Sequence, residues 1–190
     1  MSGKGIAMTE FGLDRATALV AFWRDAGRDR WFTPDDAFDA RFRDGYGDLH
    51  FAAARRELDR WAGSVEGALA RLLLLDQYPR NAFRGTGHMY ATDPLARLAA
   101  DAAVMAGLDQ GVEVELRIFF YLPFAHSEVL ADQDRSVALS ERLGGEYPQH
   151  AERHRDIIRR FGRFPHRNPM LARTTTADEA AFLAEGGFSG

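Results

Sequence analysis

The sequence predicts an all-α single domain over residues 1–190, and three observations lead there. Apolar residues recur along most of the chain at the three-to-four spacing of one buried helical stripe. Cap, proline and glycine signals bracket those stripes. Only one short run shows the period-two alternation of a strand.

Taken in order, Asp14 reads as the cap of a first helix whose buried face is Leu19, Phe22, Trp23 and Ala26, with Gly27 suited to the left-handed residue that ends it. Thr33-Pro34-Asp35-Asp36 supplies a cap, a proline at the first helical position and two acids in the first turn of a second helix. Phe38, Phe42, Tyr46, Leu49 and Ala53 form its stripe. Ser64 opens a third helix through Leu69, Leu72 and Leu73, and Pro79 restarts the chain as a short helix. Asp93-Pro94 opens the next, through Leu95, Leu98, Ala99 and Ala102 to the neighbourhood of Gly107.

The run Val112-Glu113-Val114-Glu115-Leu116-Arg117-Ile118 alternates strictly, as a half-buried strand does. No second segment alternates comparably, and a lone strand would leave its backbone donors and acceptors unpaired, so this run is assigned to helix. Ser127 then reads as an N-cap with Glu128 in the first helical turn. A later helix places Tyr147, Ala151, His154, Ile158 and Phe161 on one stripe and stops near Gly162. Thr176 and Glu179 form the capping box of the last helix, which Gly186-Gly187 ends.

Composition removes several chemistries. The chain has no cysteine, which excludes disulfides, thiolate-bound zinc, iron–sulfur clusters and cysteine nucleophiles. Residues 1–10 lack the apolar core of a secretory signal, and no run approaches the roughly 18 apolar residues of a membrane helix, so a soluble, cytoplasmic chain is expected. The net charge of −4 gives no general attraction to nucleic acid or anionic membrane. Lys4 is the only lysine, and residues 150–173 carry seven arginines against Glu152 and Asp156. That basic stretch is either ordinary helix-surface pairing or a nucleic-acid face, and the acidic balance of the remaining chain ranks nucleic acid last.

Three segments hold the candidate chemistry. In Leu72–Thr86, Asp76 ends a leucine-rich helix where a negative charge opposes the macrodipole, so it requires a partner, with Arg80 or Arg84 the obvious choices. Four residues apart on a short helix, those arginines share a face. They either lock a helix corner or present two guanidinium forks to a carboxylate or phosphate, with Asn81 between them. In Tyr121–Glu128, Ser127 and Glu128 are explained by capping and His126 is left over, as a ligand, a base or a structural donor. In the third segment His154 lies on an apolar stripe and points inward, while His166, Arg167 and Asn168 stand in a loop stiffened by Pro165 and Pro169 and preceded by Arg163. His150 and His154 have the spacing of a metal pair, but the carboxylate of the metalloprotease helix is missing, so no metal and no cofactor is expected.

These same segments, LLLLDQYPRNAFRGT, YLPFAHSE and HRDIIRRFGRFPHRN, with Phe22-Trp23 near the start, resemble the bacterial family known as domain of unknown function 924 over nearly the whole chain. The resemblance implies antiparallel helix pairs in a right-handed, tetratricopeptide-like array. It implies no activity. Where that family usually continues with Leu-Gly-Arg and Ser-Thr, this chain has Leu171-Ala172-Arg173 and Thr174-Thr175, a conservative departure.

Two functional readings follow. The first is a pocket for a small anionic molecule, with Arg80, Arg84, Arg163, Asn81 and Asn168 as ligand-binding residues and His126, His154, His166, Asp76 and Glu128 as the acid–base groups. Ester or phosphoester hydrolysis suits such groups, although no nucleophile is identified. The second is a peptide- or protein-binding scaffold in the groove of stacked helix pairs. The pocket requires the three segments to converge; the scaffold leaves them as separate corners.

Overall fold

The computed structural model describes residues 11–188, so the expectation for residues 1–10 lies outside the described residues. The elements are α1 (Leu13–Ala26), α2 (Arg28–Trp31), α3 (Asp36–Ala54), α4 (Val65–Leu72), α5 (Tyr78–Ala82), α6 (Asp93–Met105), α7 (Ile118–Ala125), α8 (Leu130–Glu141), α9 (Tyr147–Phe161) and α10 (Ala177–Ala184). Short 3₁₀ turns join several of them, and no strand occurs among the described residues. No helix among them is long and apolar enough to cross a membrane.

The start signals are mostly where the sequence places them, with two corrections. Asp35 caps α3, its carboxylate accepting the N–H groups of Ala37 and Phe38 at 3.0 and 2.9 Å. Thr33 and Pro34 precede the helix, because an acid closer to the first turn satisfies two orphan donors at once. At α1 the cap position belongs to Gly12, and Asp14 sits inside the first turn, where its charge still favours the dipole. A Cβ at Gly12 would lie 2.2 Å from Asp14 Oδ1, so the carboxylate folded over that position leaves it to glycine. Ser64 caps α4, and Thr176 with Glu179 completes the capping box of α10. Gly162 ends α9 in the left-handed region at φ 70°.

The alternating segment resolves into a 3₁₀ turn over Val114–Leu116 that feeds α7. The alternation in sequence is not an alternation in burial: Val112, Leu116 and Ile118 are buried, but Val114 is exposed along with Glu113 and Glu115, and no ladder forms among the described residues.

One large core unites α1, α3, α4, α6 and α7, with Trp23, Phe38, Phe42, Trp61, Phe119 and Phe120 fully or almost fully buried. Trp23 meets Phe42 at 5.3 Å and Phe119 edge-on at 5.3 Å, which ties the first, third and seventh helices together. A smaller cluster of Ile157, Ile158 and Phe164, backed by Phe161 and Phe182, joins α9 to the C-terminal segment. In the second half, helices adjacent in sequence pack together, α7 on α8 and α8 on α9. In the first half α1 packs most extensively on α4, a more distant element.

Between α4 and α5 the chain makes a π-helical turn over Leu73–Gln77, closed by the Tyr78 N–H donating to the Leu73 carbonyl. Pro79 supplies the reason. It has no N–H for the Leu75 carbonyl, and its ring pushes against the turn four residues back. The carbonyls of Leu74, Leu75 and Asp76 accept instead from side chains, His50 Nδ1 at 2.8 Å, Thr92 Oγ1 at 2.5 Å and Arg80 Nη1 at 2.6 Å. The widened turn places Asp76 and Gln77 inside the protein.

Gly67, in the first turn of α4, tests the packing on which this turn rests. Glycine to alanine inside a helix ordinarily stabilises by up to about 1 kcal/mol. A Cβ here would lie 2.2 Å from the Trp61 carbonyl oxygen, so Gly67→Ala is expected to destabilise, by about 1–3 kcal/mol in urea unfolding. A stabilised variant would contradict the close approach of α4 to the Trp61 turn.

Candidate functional site

The geometry begins at Asp76. Its side chain is 1% exposed, and a carboxylate so placed needs charged and hydrogen-bonding partners. It has three. His126 Nδ1 donates to Oδ1 at 2.8 Å, Gln77 Nε2 donates to Oδ2 at 2.6 Å, and Arg80 Nη1 lies 3.3 Å from Oδ1. Burial opposes the charge on Asp76, but Arg80 and His126 outweigh it and the carboxyl falls to about 2.

His126 follows the last turn of α7. Burial, and then the Arg80 charge, lower its pKa against the pull of Asp76, so the ring is neutral near pH 7. With Nδ1–H committed to Asp76, the lone pair falls on Nε2; this tautomer is assigned from the hydrogen bond.

Arg80 extends the network to α6. Its guanidinium forks the Asp93 carboxylate at 2.9 and 3.1 Å, and Arg167 Nη1 approaches the same carboxylate at 3.5 Å. Tyr90 lies beneath both guanidiniums, 5.9 Å from Arg80 and 4.6 Å from Arg167. Arg167 also stacks on Phe164 at 4.5 Å, so the guanidinium is held between two aromatic faces. Its side chain is 7% exposed and its Nε has no hydrogen-bond partner among the described residues.

The third segment closes around Phe164. His154 stands edge-on to that ring at 5.6 Å, with Nδ1 donating to the His150 carbonyl at 2.8 Å, and His166 lies 5.6 Å from the ring on a tilted plane. Burial, aided by the neighbouring charge of Arg167, lowers both histidines to about 4. Phe164, packed against both imidazoles and against Arg167, is tied through its N–H to Glu128, two residues beyond His126. Glu128 accepts the Phe164 N–H at 2.9 Å and Arg173 Nη1 at 2.8 Å. Against its burial, these donors hold the Glu128 carboxyl below its ordinary value.

Asp76, Arg80, His126, Glu128, His154 and His166 therefore belong to one polar neighbourhood. Four other candidates do not make these contacts. Arg84 and Asn81 turn to Asp39 of α3, at 2.9 and 2.6 Å, so Arg80 and Arg84 part company despite their spacing. Arg163 forks Glu179 of α10 at 2.6 and 2.9 Å, and Asn168 donates to Glu179 at 3.2 Å. Those pairs fasten corners.

The roles read for Ser127 and Glu128 also change. Val129 occupies the cap position of α8, while Ser127 accepts the Val129 N–H at 3.2 Å and donates to Asp132 at 2.7 Å. Glu128 lies outside the helix because the Phe164 N–H and Arg173 claim its carboxylate. Arg167 is named in the sequence only as part of the stiffened loop and not among the ligand-binding arginines, and Asp93 and Tyr90 are not read as site residues. The two prolines around Arg167 were a usable signal, Asp93 was absorbed as a helix start, and Tyr90 had none.

A groove of about 430 Å³ lies elsewhere, lined by Arg24, Arg28, Trp31, Glu113, Glu115 and Leu116. Arg24 is already paired with Glu113 at 2.9 Å and Arg28 donates to Tyr147 at 2.5 Å, so its two cations are engaged. Among the described residues no group of three or more histidines, aspartates and glutamates is arranged to hold a metal ion.

A family model described as bacterial protein of unknown function (DUF924) matches residues 19–187, a span that contains all three segments. The chain belongs to this family. A solved structure of a member-like protein, ATU0120 of unknown function from Agrobacterium tumefaciens, is 58% identical, with a TM-score of 0.89 over 91% of this chain and 98% of that one. A search of curated proteins gives no match.

Two outcomes test the network. Asp76→Ala leaves Arg80 with Asp93 as its carboxylate partner but strips His126 Nδ1 and Gln77 Nε2 of their acceptor, and is expected to cost about 1–3 kcal/mol in chemical unfolding, as an unsatisfied buried donor does. A loss below about 1 kcal/mol would place Asp76 in contact with solvent. The second concerns pH. His154 and His166 titrate near 4 in the native protein and near 6.5 unfolded, so the unfolded chain binds protons first as pH falls. Their contribution is complete above about pH 6.5 and is lost progressively down to about pH 4. Unfolding midpoints measured across that window should fall, and His154→Asn with His166→Asn should flatten the slope.

Proposed function

We propose that the Asp76–His126 pair and Arg167 form a binding site for a small anionic metabolite, at which His126 acts as acid and base in ester or phosphoester hydrolysis. The observation that carries this reading is the meeting of three segments distant in sequence. Residues 76–80, 126–128 and 154–167 join through Asp76, Asp93 and Phe164.

Each residue has a distinct part. Arg80 is saturated by Asp76 and Asp93, so it holds the frame. Arg167 has one long contact and an unpartnered Nε, which leaves donors for a carboxylate or phosphate. Asp76 fixes the His126 tautomer, and the Nε2 lone pair can take a proton from water. Oxygen of that water then bonds to the acyl carbon or phosphorus, the ester oxygen departs, and the proton on Nε2 passes to it. Ser127, the hydroxyl beside His126, is committed to Asp132, which makes water the nucleophile in this reading. The peptide-binding scaffold in a tetratricopeptide-like array remains the second reading, and no particular contact favours it.

A thermal-shift screen against phosphorylated metabolites and carboxylates tests the proposal. Ligand at about a hundred times its dissociation constant should stabilise by roughly 2.7 kcal/mol. Arg167→Ala should abolish that shift, Arg84→Ala should retain it, and His126→Ala should bind yet lose turnover. Silence from every anion class would contradict the proposal.

A further inference from the structure

The C-terminal tail reaches the histidine end of this neighbourhood. Phe188 lies edge-on to His154 at 4.6 Å and to His166 at 5.1 Å. Both contacts are shorter than the 5.6 Å that separates either imidazole from Phe164, so Phe188 is the nearer aromatic wall for both rings. It is nonetheless 40% exposed, whereas Phe164 on the inner side is fully buried. The two phenylalanines thus flank the imidazoles, one inside the protein and one at its surface.

The chain preceding Phe188 is built to turn. α10 is anchored by Phe182 against Phe161 at 5.1 Å and by the Arg163 fork on Glu179. After it, Gly186 adopts φ 84°, which L side chains rarely do, and Gly187 donates to the Phe182 carbonyl at 2.9 Å. A Cβ at Gly187 would lie 2.5 Å from that carbonyl oxygen, so the tail folds back over the end of α10 only with glycine there. Helix α10 is fixed, and the two glycines beyond it form a hydrogen-bonded cap from which Phe188 projects.

His166, which the ring touches, and its chain neighbour Arg167 carry polar atoms without partners. His166 Nδ1 and Arg167 Nε are buried and make no hydrogen bond among the described residues, and the Arg167 side chain is 7% exposed. Unsatisfied buried groups of this kind call for an explanation; the guanidinium donates, and in the tautomer protonated at Nδ1 the His166 imidazole donates with it, a pair that suits an oxyanion.

We infer that Phe188, projecting from the Gly186-Gly187 cap of α10, is a lid on the histidine side of the site that opens to admit a compact oxyanion to Arg167 and His166 and closes over it. The inference rests on the anion-site reading for what passes beneath the lid, and on the Phe188 contacts for the lid itself. A rim of one aromatic ring on a short tail limits access without burying a large surface, so the closed form is worth only a modest contact energy. That is what a gate requires.

Carbethoxylation of the histidines by diethyl pyrocarbonate, read residue by residue by mass spectrometry on the full chain, separates the two parts. In the wild type His154 and His166 should react slowly. Phe188→Ala should raise both rates roughly tenfold, as loss of ring contacts shifts the open population, while His50 and His88 keep theirs. Phe188→Trp should restore slow reaction. Inorganic phosphate should protect His166 in Phe188→Ala, and Arg167→Ala should remove that protection. Unchanged rates in Phe188→Ala, or a rise shared by all the histidines, would overturn the lid. A selective rise without phosphate protection leaves the lid standing and counts against oxyanion entry and the anion-site reading together.

Discussion

The buried charge of Asp76 is the constraint on which the arrangement of the site depends. A carboxylate out of water must be surrounded by donors and cations, and each one supplied here is rooted in a different element. Arg80 returns from α5 and carries the network to Asp93 at the head of α6. His126 is drawn in from the end of α7. Through Asp93 the network reaches Arg167, and through Glu128 and the Phe164 N–H it fixes the loop that carries the histidines. Stability alone is a weak reason for such a network, because well-packed apolar residues can replace buried ion pairs at little cost. An apolar pair cannot orient an imidazole.

The helices were legible because their determinants are local. Stripes, caps and glycine terminators act over one or two turns, so α3, α4, α6, α9 and α10 are recovered close to their positions in the chain. The π-helical turn was not legible, since Pro79 reads equally as the start of a new helix. Only the carbonyl acceptors filled by His50, Thr92 and Arg80 reveal a continuous, widened segment. The resemblance rests on the same three segments and implies the same helical class, and the family match spans them. Helical spacing failed for Arg80 and Arg84 because α5 ends at Ala82 with Phe83 as its cap, so Arg84 lies beyond the helix. Asp39, 45 residues before Arg84, decides where that guanidinium goes.

The same logic separates fastening from chemistry among the polar residues. Arg84 and Arg163 are engaged by the carboxylates of Asp39 and Glu179. Arg167 Nε and His166 Nδ1 have no partner among the described residues, although burial lowers the pKa of each side chain. A guanidinium stacked between Tyr90 and Phe164, with donors to spare, is costly for folding and useful for binding. The Phe188 ring then stands where that unmet capacity meets solvent.

The state of His126 tests the central claim most directly. Long-range proton–nitrogen correlation of its imidazole at pH 7 should show a neutral ring, protonated at Nδ1 with Nε2 bare, that stays neutral below its ordinary pKa of 6.5 because burial and Arg80 outweigh Asp76. An Nε2-protonated tautomer, or an imidazolium at pH 7, would contradict the buried Asp76–His126 arrangement and the site built on it.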